Sequence, residues 1–235
     1  MPLYDAIESA SCKETLVAAF FRVSAEFGFK AATLLKLPSR TDHTVAELIL
    51  ESELTRDFFE RCDSLGDVSK CPLYEAARGT ILPSYWALDQ LAEHHARLSQ
   101  TVNPVLQHYL DTGLRATTLL PLTSLDGSRH IARFDGVAPK LSRRSLNDLV
   151  ALTMRFFDSY DRKRFPMTAN PVGLTERELE SLRWTAMGKT TSEISRIVGL
   201  SEHTVNAYLN NAIRKLDCTN RTQLVAKALR MRLIS

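Results

Sequence analysis

The stretch SEHTVNAYLNNAIRKL, residues 201–216, decides the fold of the C-terminal part of the chain. Its apolar residues Val205, Tyr208, Leu209, Ala212, Ile213 and Leu216 recur at i, i+3, i+4, i+7, i+8 and i+11, one stripe of an α-helix. The other face carries His203, Asn206, Ala207, Asn210, Asn211 and Arg214, with amides and a guanidinium but no acid. Such a face suits base edges and phosphates better than a protein core. Ser201 is a helix cap. Upstream, Thr175 to Glu178 and Thr190 to Glu193 are capping boxes that start two more helices. The first turns Leu179, Leu182 and Ala186 inward and stops at Gly188; the second turns Ile194 and Ile197 inward and stops at Gly199. Asn220 caps a fourth helix with Leu224, Ala228 and Leu229 on its apolar side. Four short helices, with a tight Gly199-Leu200 turn before the third, predict a helix-turn-helix domain over 174–235.

Charge follows the same division. The chain of 235 residues has a net charge of +3, and the segment from Pro171 onward holds ten Lys and Arg against six Asp and Glu. The first 170 residues therefore sum to about −1, and the positive charge lies where attraction to phosphate needs it. At 44% hydrophobic and 24% charged residues the chain is globular in composition and long enough for two domains. Cys12, Cys62, Cys71 and Cys218 form no C-x-x-C pair, which argues against a zinc site, and are too sparse for a disulfide scaffold. They are expected to be reduced thiols in a cytoplasmic protein. The opening MPLYDAIESASCKE has no basic n-region, so no secretory signal is expected. No apolar run approaches the roughly 20 residues of a membrane span.

The N-terminal part reads as a helix over about Tyr4 to Phe27, strand-length apolar runs at Ala31 to Leu37 and Val45 to Leu50, and helices at Leu54 to Cys62 and Leu73 to Gly79. Residues Ile81 to Leu88 are open between helix and strand. A long helix over Leu91 to Leu110 is interrupted by Pro104. Ala116 to Leu122 and Ser128 to Phe134 flank the turn dipeptide Asp126-Gly127 as a hairpin. Leu141 to Tyr160 is a closing helix, and two prolines, a glycine and a charge run make Asp161 to Gly173 a break. The expected fold class is α+β: an N-terminal α/β/α sandwich with a mostly antiparallel sheet, then the four-helix domain. The expected boundaries are an N-terminal domain over 1–165, a linker over 166–173 and the helix-turn-helix domain over 174–235. Arg162, Lys163 and Arg164 read as a solvated face, with contact to the DNA backbone as the other reading.

The string Leu174-Thr-x-Arg-Glu178, Leu182, Gly188-Lys-Thr, Glu193-Ile194, Leu200-Ser201, Thr204-Val205, Asn211, Lys215-Leu216, Asn220-Arg221 resembles the LuxR/FixJ-type C-terminal domain. The resemblance implies a bacterial transcription factor that binds double-stranded DNA as a homodimer, with the third helix in the major groove and the fourth aiding dimerisation. RNA polymerase is a further partner it implies. Asn206 and Asn210, four apart on one face, are the expected base readers, with His203 and Ala207 beside them. A carboxamide can donate to and accept from adenine together, worth about 1–3 kcal/mol of discrimination. Family members commonly carry Lys or Arg at these two positions, so the operator is expected to differ from the family's usual one. Lys189, Thr191, Ser192, Thr204 and Arg214 are the expected phosphate anchors.

A second resemblance covers about Tyr4 to Tyr160, which is similar to the autoinducer-binding domain of LuxR-type quorum sensors. Those sensors carry Trp-x3-Tyr-x8-Asp-Pro-x13-Trp. Here the comb reads Phe58-x3-Cys62-x8-Cys71-Pro72-x13-Trp86, with every interval kept. In the family the first Trp and the Tyr donate to the lactone and amide carbonyls of an acyl-homoserine lactone, and the Asp accepts its amide N–H. Phe58 has no N–H, and thiols at Cys62 and Cys71 are weak partners. A buried amide group deprived of its hydrogen bond costs roughly 1–3 kcal/mol. A family glycine falls at Thr117, which narrows the same cavity. The expectation is a sensor without standard acyl-homoserine lactone recognition, bound to another small apolar ligand or to none. A thiol pair at Cys62 and Cys71 facing one cavity would be a redox switch; two inert buried thiols are the plainer reading. A ligand-blind partner that sequesters an active homologue, and a lactone-dependent activator with an altered pocket, stay open beside it. No receiver-type acids, phosphate loop or nucleophile elbow is present, so an enzyme, a metal and a cofactor are not expected.

Overall fold

The computed structural model describes residues 2–99, 103–137, 140–164, 173–231 and 233–234. The chain divides into two compact units, one of Met1–Ser124 with Arg129–Lys163, the other of Arg164–Ser235 with Leu125–Ser128.

The first unit runs α1 (Pro2–Glu8), α2 (Lys13–Glu26), β1 (Ala31–Lys36), β2 (Ile49–Ser52), α3 (Arg56–Leu65), α4 (Pro72–Arg78), β3 (Ser84–Ala87), α5 (Leu88–Ser99), α6 (Pro104–Asp111), β4 (Ala116–Thr123), β5 (Arg129–Gly136) and α7 (Arg143–Arg164). The five strands lie in the order β2-β1-β5-β4-β3, and every neighbouring pair is antiparallel. Side chains alternate across the sheet, so two separate cores form. Ala32, Leu34, Leu120, Ala132 and Phe134 pack with α1, α2 and α7; Leu35, Leu119 and Ile131 pack with α3 to α6. Helices therefore cover both faces, the α/β/α layering expected.

Several boundaries move. The first helix is two, because Cys12 and Thr15 form a capping box that restarts it at Lys13. Val45 to Leu50 is not a strand throughout: the Asp63 carboxylate accepts from the N–H groups of Val45 (2.6 Å) and Ala46 (3.0 Å), and a 3-10 turn at Ala46–Leu48 precedes β2. Leu91 to Leu110 is likewise two helices, since Asn103 caps α6 and Pro104 takes its first position. The closing helix runs on to Arg164, and Asp161, expected at the start of the break, is buried in α7 and accepts a hydrogen bond from the Ser124 hydroxyl at 2.8 Å. Arg162 pairs with Asp158 at 2.9 Å and Lys163 donates to the Ser11 carbonyl. Residues 165–172 of the expected break lie outside the described residues.

The second unit contains α8 (Glu176–Ala186), α9 (Thr191–Val198), α10 (Glu202–Lys215) and α11 (Arg221–Arg230). Both capping boxes close, Ser201 accepts from Thr204 N–H, and Asn220 accepts from Gln223 N–H. Gly199 ends α9 at φ +68°, the left-handed conformation glycine adopts without penalty. The core is Leu174, Leu182, Ile194, Val205, Leu209, Ala212, Leu216, Leu224 and Ala228. Ile197 and Leu229, expected inside, are 46% and 45% exposed. Val198 packs against the core in place of the former, and Val225 and Ala228 serve on α11.

Candidate DNA-reading face and sensor core

On α10 and its cap Val205, Leu209, Ala212 and Leu216 are buried and Tyr208 and Ile213 half-buried, while His203, Asn206, Ala207 and Asn210 all stand exposed at i, i+3, i+4 and i+7. Arg214 continues that stripe and donates to Asn211 Oδ1. Two polar clusters bear on the helix, one directly through Lys215 and one through Thr191. Lys215 Nζ reaches the Glu178 carboxylate and the Gly173 carbonyl, each at 2.8 Å. Burial opposes charge on Glu178, but Lys215 and the Thr175 N–H hold its carboxyl below the usual range. Arg221, at the start of α11, donates to Thr185 Oγ1 (2.8 Å), the Lys189 carbonyl (3.1 Å) and Thr191 Oγ1 (3.1 Å). Thr191 in turn donates its hydroxyl to Asn206 Oδ1 at 3.2 Å.

The expected phosphate anchors are thus not alike. Thr191 has its hydroxyl engaged between Arg221 and Asn206. Ser192 and Lys189 are half-exposed; Ser192 Oγ accepts from Arg196 at 3.5 Å and Lys189 lies 3.8 Å from Glu193. Thr204 shares a hydrogen bond with Ser201. Lys189, Thr191 and Ser192 stand at the start of α9, where backbone N–H groups and helix dipole favour an anion. Arg221 is visible in sequence only as part of a motif; the signal for its role is a cation one residue past a cap.

In the first unit the comb residues converge. Phe58 is buried, with its ring 4.7 Å from His108 and 4.9 Å from Tyr109 between centroids. Cys62 and Cys71 are free thiols that line one cavity with Val45, Val68, Tyr74, Val105 and Tyr109. That cavity holds about 10 Å³, room for a single water. Burial pushes the Cys62 thiol up to about 12 and raises Cys71 as well, so neither is a thiolate at neutral pH. Pro72 opens α4. Trp86 is half-buried, and its indole N–H is already donated to Ser84 Oγ at 3.1 Å. Thr117 is fully buried.

The core also contains two charges that the hydrophobic pattern of the sequence does not announce. Arg133 and Asp135 are both 0% exposed, with Arg133 Nε donating to Asp135 Oδ2 at 2.7 Å. Arg133 Nη1 donates to the hydroxyls of Tyr74 (3.1 Å) and Tyr109, and its guanidinium lies 4.7 Å from the Tyr109 ring centroid. Burial raises the Asp135 carboxyl, and the Arg133 charge and the neighbouring Thr117 hydroxyl pull it back. Burial works against the Arg133 charge, and Asp135 more than restores it. Arg133 Nη2, Asp135 Oδ1 and Thr117 Oγ1 make no hydrogen bond of normal geometry among the described residues. Among the described residues no group of His, Cys, Asp and Glu has a metal-binding arrangement. No described helix is long and apolar enough to cross a membrane.

Comparison with known proteins places this geometry. Residues 172–228 match the family of bacterial regulatory proteins, luxR family. The quorum sensing-dependent transcriptional regulator RpaR of Rhodopseudomonas palustris is 34% identical over 224 residues, 93% of this chain and 88% of that protein. The chain belongs to the LuxR family. This LuxR-type transcriptional regulator is also 28% identical to the transcriptional activator BjaR1 of Bradyrhizobium diazoefficiens over 94% of its length and 88% of the relative. Its fold matches SdiA, solved in complex with octanoyl-rac-glycerol, at a TM-score of 0.74 and 16% identity, covering 98% of this chain and 93% of that one. The LuxR-type regulator accordingly pairs an autoinducer-binding-like domain with a DNA-binding helix-turn-helix domain, and its relatives are regulators of transcription, not enzymes.

Proposed function

We propose that this regulator binds a specific duplex operator as a homodimer in the cytoplasm and does so without requiring an acyl-homoserine lactone. The sensor spans 1–165, a linker 166–173 and the reading domain 174–235. His203, Asn206, Ala207 and Asn210 read base edges in the major groove. Lys189, Ser192, Thr204 and Arg214 anchor phosphates, and Thr191 holds Asn206 in place while standing at the same helix start. RNA polymerase is the partner for activation.

One observation carries the lactone-independent part. The cavity that Cys62 and Cys71 line with Tyr74 and Tyr109 holds only about 10 Å³, Phe58 has no N–H to donate, and the two thiols are weak hydrogen-bonding partners. Operator selection from random duplexes, followed by gel shift with and without acyl-homoserine lactones, tests the reading. Equal binding in both arms is expected, with affinity falling steeply as salt rises. Binding that appears only with lactone at nanomolar to micromolar concentration would sink it.

A further inference from the structure

Arg221 sets a direction that runs through three side chains. A guanidinium only donates and stays charged at any working pH. Its Nη1 donates to Thr191 Oγ1 at 3.1 Å, and its Nη2 donates to Thr185 Oγ1 (2.8 Å) and the Lys189 carbonyl (3.1 Å). Thr185 passes its own proton to the Ser181 carbonyl at 2.8 Å, which fixes that arm in place. Thr191 Oγ1 thus accepts from Arg221 and has one proton left to give. The acceptor it meets among the described residues is Asn206 Oδ1, at 3.2 Å. An amide nitrogen in that place would set a second donor against the same oxygen and leave the hydroxyl proton without a partner in the protein. The orientation of the Asn206 carboxamide therefore follows from hydrogen-bond chemistry: oxygen toward α9, nitrogen away from it. Asn210, one turn along α10 and also exposed, joins no side-chain hydrogen bond among the described residues.

We propose that Asn206 reads guanine, acting as a donor alone, and that Arg221 and Thr191 are the positioning residues that make it so. In the major groove guanine presents two acceptors, O6 and N7. Adenine presents N7 beside the N6 amine, and its two-way pairing with a carboxamide needs the amide oxygen at the base edge. In Asn206 that oxygen is turned back to Thr191, which leaves the N–H groups for the base. Against guanine both find acceptors; against adenine one of them meets a donor. Thymine offers the single acceptor O4, and cytosine offers only its N4 amine. For Asn206 this replaces the adenine pairing that the residue type alone suggests, and it separates Asn206 from Asn210, whose amide is free to turn either way. The inference rests on the base-reading role given to Asn206 above and specifies what that role selects.

Binding of the full chain to a selected operator and to its single-base variants, changed symmetrically in both half-sites, tests the proposal. The base pair at which Asn206→Ala levels the preferences is the Asn206 contact. There the unaltered protein should bind guanine about ten-fold tighter than adenine, the equivalent of one hydrogen bond. Replacing that guanine with 7-deazaguanine, which lacks the N7 acceptor, should weaken binding by the unaltered protein and leave Asn206→Ala unaffected. Thr191→Val frees the amide to turn, so the guanine-over-adenine ratio should fall to about three-fold or less; Thr191→Ser, which keeps the hydroxyl, should retain it. At the base pair mapped in the same way by Asn210→Ala, Thr191→Val should change nothing. A loss of fold would weaken every operator alike and leave the ratio where it was. Adenine preferred over guanine at the Asn206 contact overturns the proposal, as does a ratio that Thr191→Val leaves unchanged. If Asn206→Ala alters no preference at any base pair, the base-reading role itself falls, and the proposal with it.

Discussion

On the face of the sensor sheet covered by α1, α2 and α7, Phe20 stacks on Phe156 with centroids 4.2 Å apart and meets Phe134 edge-on at 5.5 Å; on the face covered by α3 to α6, a guanidinium and a carboxylate lie sealed among tyrosines and thiols. Both faces belong to the same strands, and β5 contributes Phe134 to one and Arg133 and Asp135 to the other. The first face is what hydrophobic burial alone produces. The second keeps a buried ion pair that apolar packing could replace at little cost.

The largest effects break this contrast. Arg133→Met strands Asp135 in the core and should destabilise the sensor by about 3–5 kcal/mol in denaturant unfolding. Adding Asp135→Leu should return most of that loss, since removing both charges of a buried pair is often neutral. Phe156→Ala on the opposite face should also cost about 3–5 kcal/mol, and no second substitution nearby should rescue it. If Asp135→Leu fails to rescue, the pair is structural and the two faces are not different in kind.

In the reading domain the effects are on selectivity. Asn206→Ala should relax preference at one operator base pair by about 10–100-fold, measured on a panel of single-base variants. Thr191→Val should give a smaller relaxation at the same base pair, because it frees the Asn206 amide without removing it. A uniform loss across all operators would instead make Thr191 a phosphate anchor alone. Smallest is an acid effect on the second unit. The Glu178 carboxyl sits below its unfolded value of 4.5, so its stabilisation is complete above that pH and is lost as pH falls through the lower folded value. Lys215→Met should flatten the acid limb of the unfolding curve; an unchanged limb refutes the role.

Local signals explain what was legible. Capping boxes at Thr175 and Thr190, the Ser201 and Asn220 caps and the Asp126-Gly127 turn depend on neighbours within a few residues, and the helical stripe on α10 needs only its own spacing. Asn103-Pro104 was an equally local start signal, hidden inside a longer apolar period. Arg133 and Asp135 were not legible because a charge in an alternating strand ordinarily faces water. Their positions, in step with Ile131, held the clue: they fall on a face that Leu35 and Leu119 show to be interior. Ile197 and Leu229 misled for the opposite reason, since apolar character at a near-periodic position does not ensure burial. The comb from Phe58 to Trp86 located the sensor core without revealing what fills it.

The Arg221–Thr191–Asn206 chain bears on any attempt to rewire this regulator. A reader helix cut at Ser201 and Leu216 and grafted onto another scaffold would carry the letters but leave behind the two supports that hold one of them still. Reprogramming therefore has to move three elements as a set, or accept a blurred alphabet at that base pair.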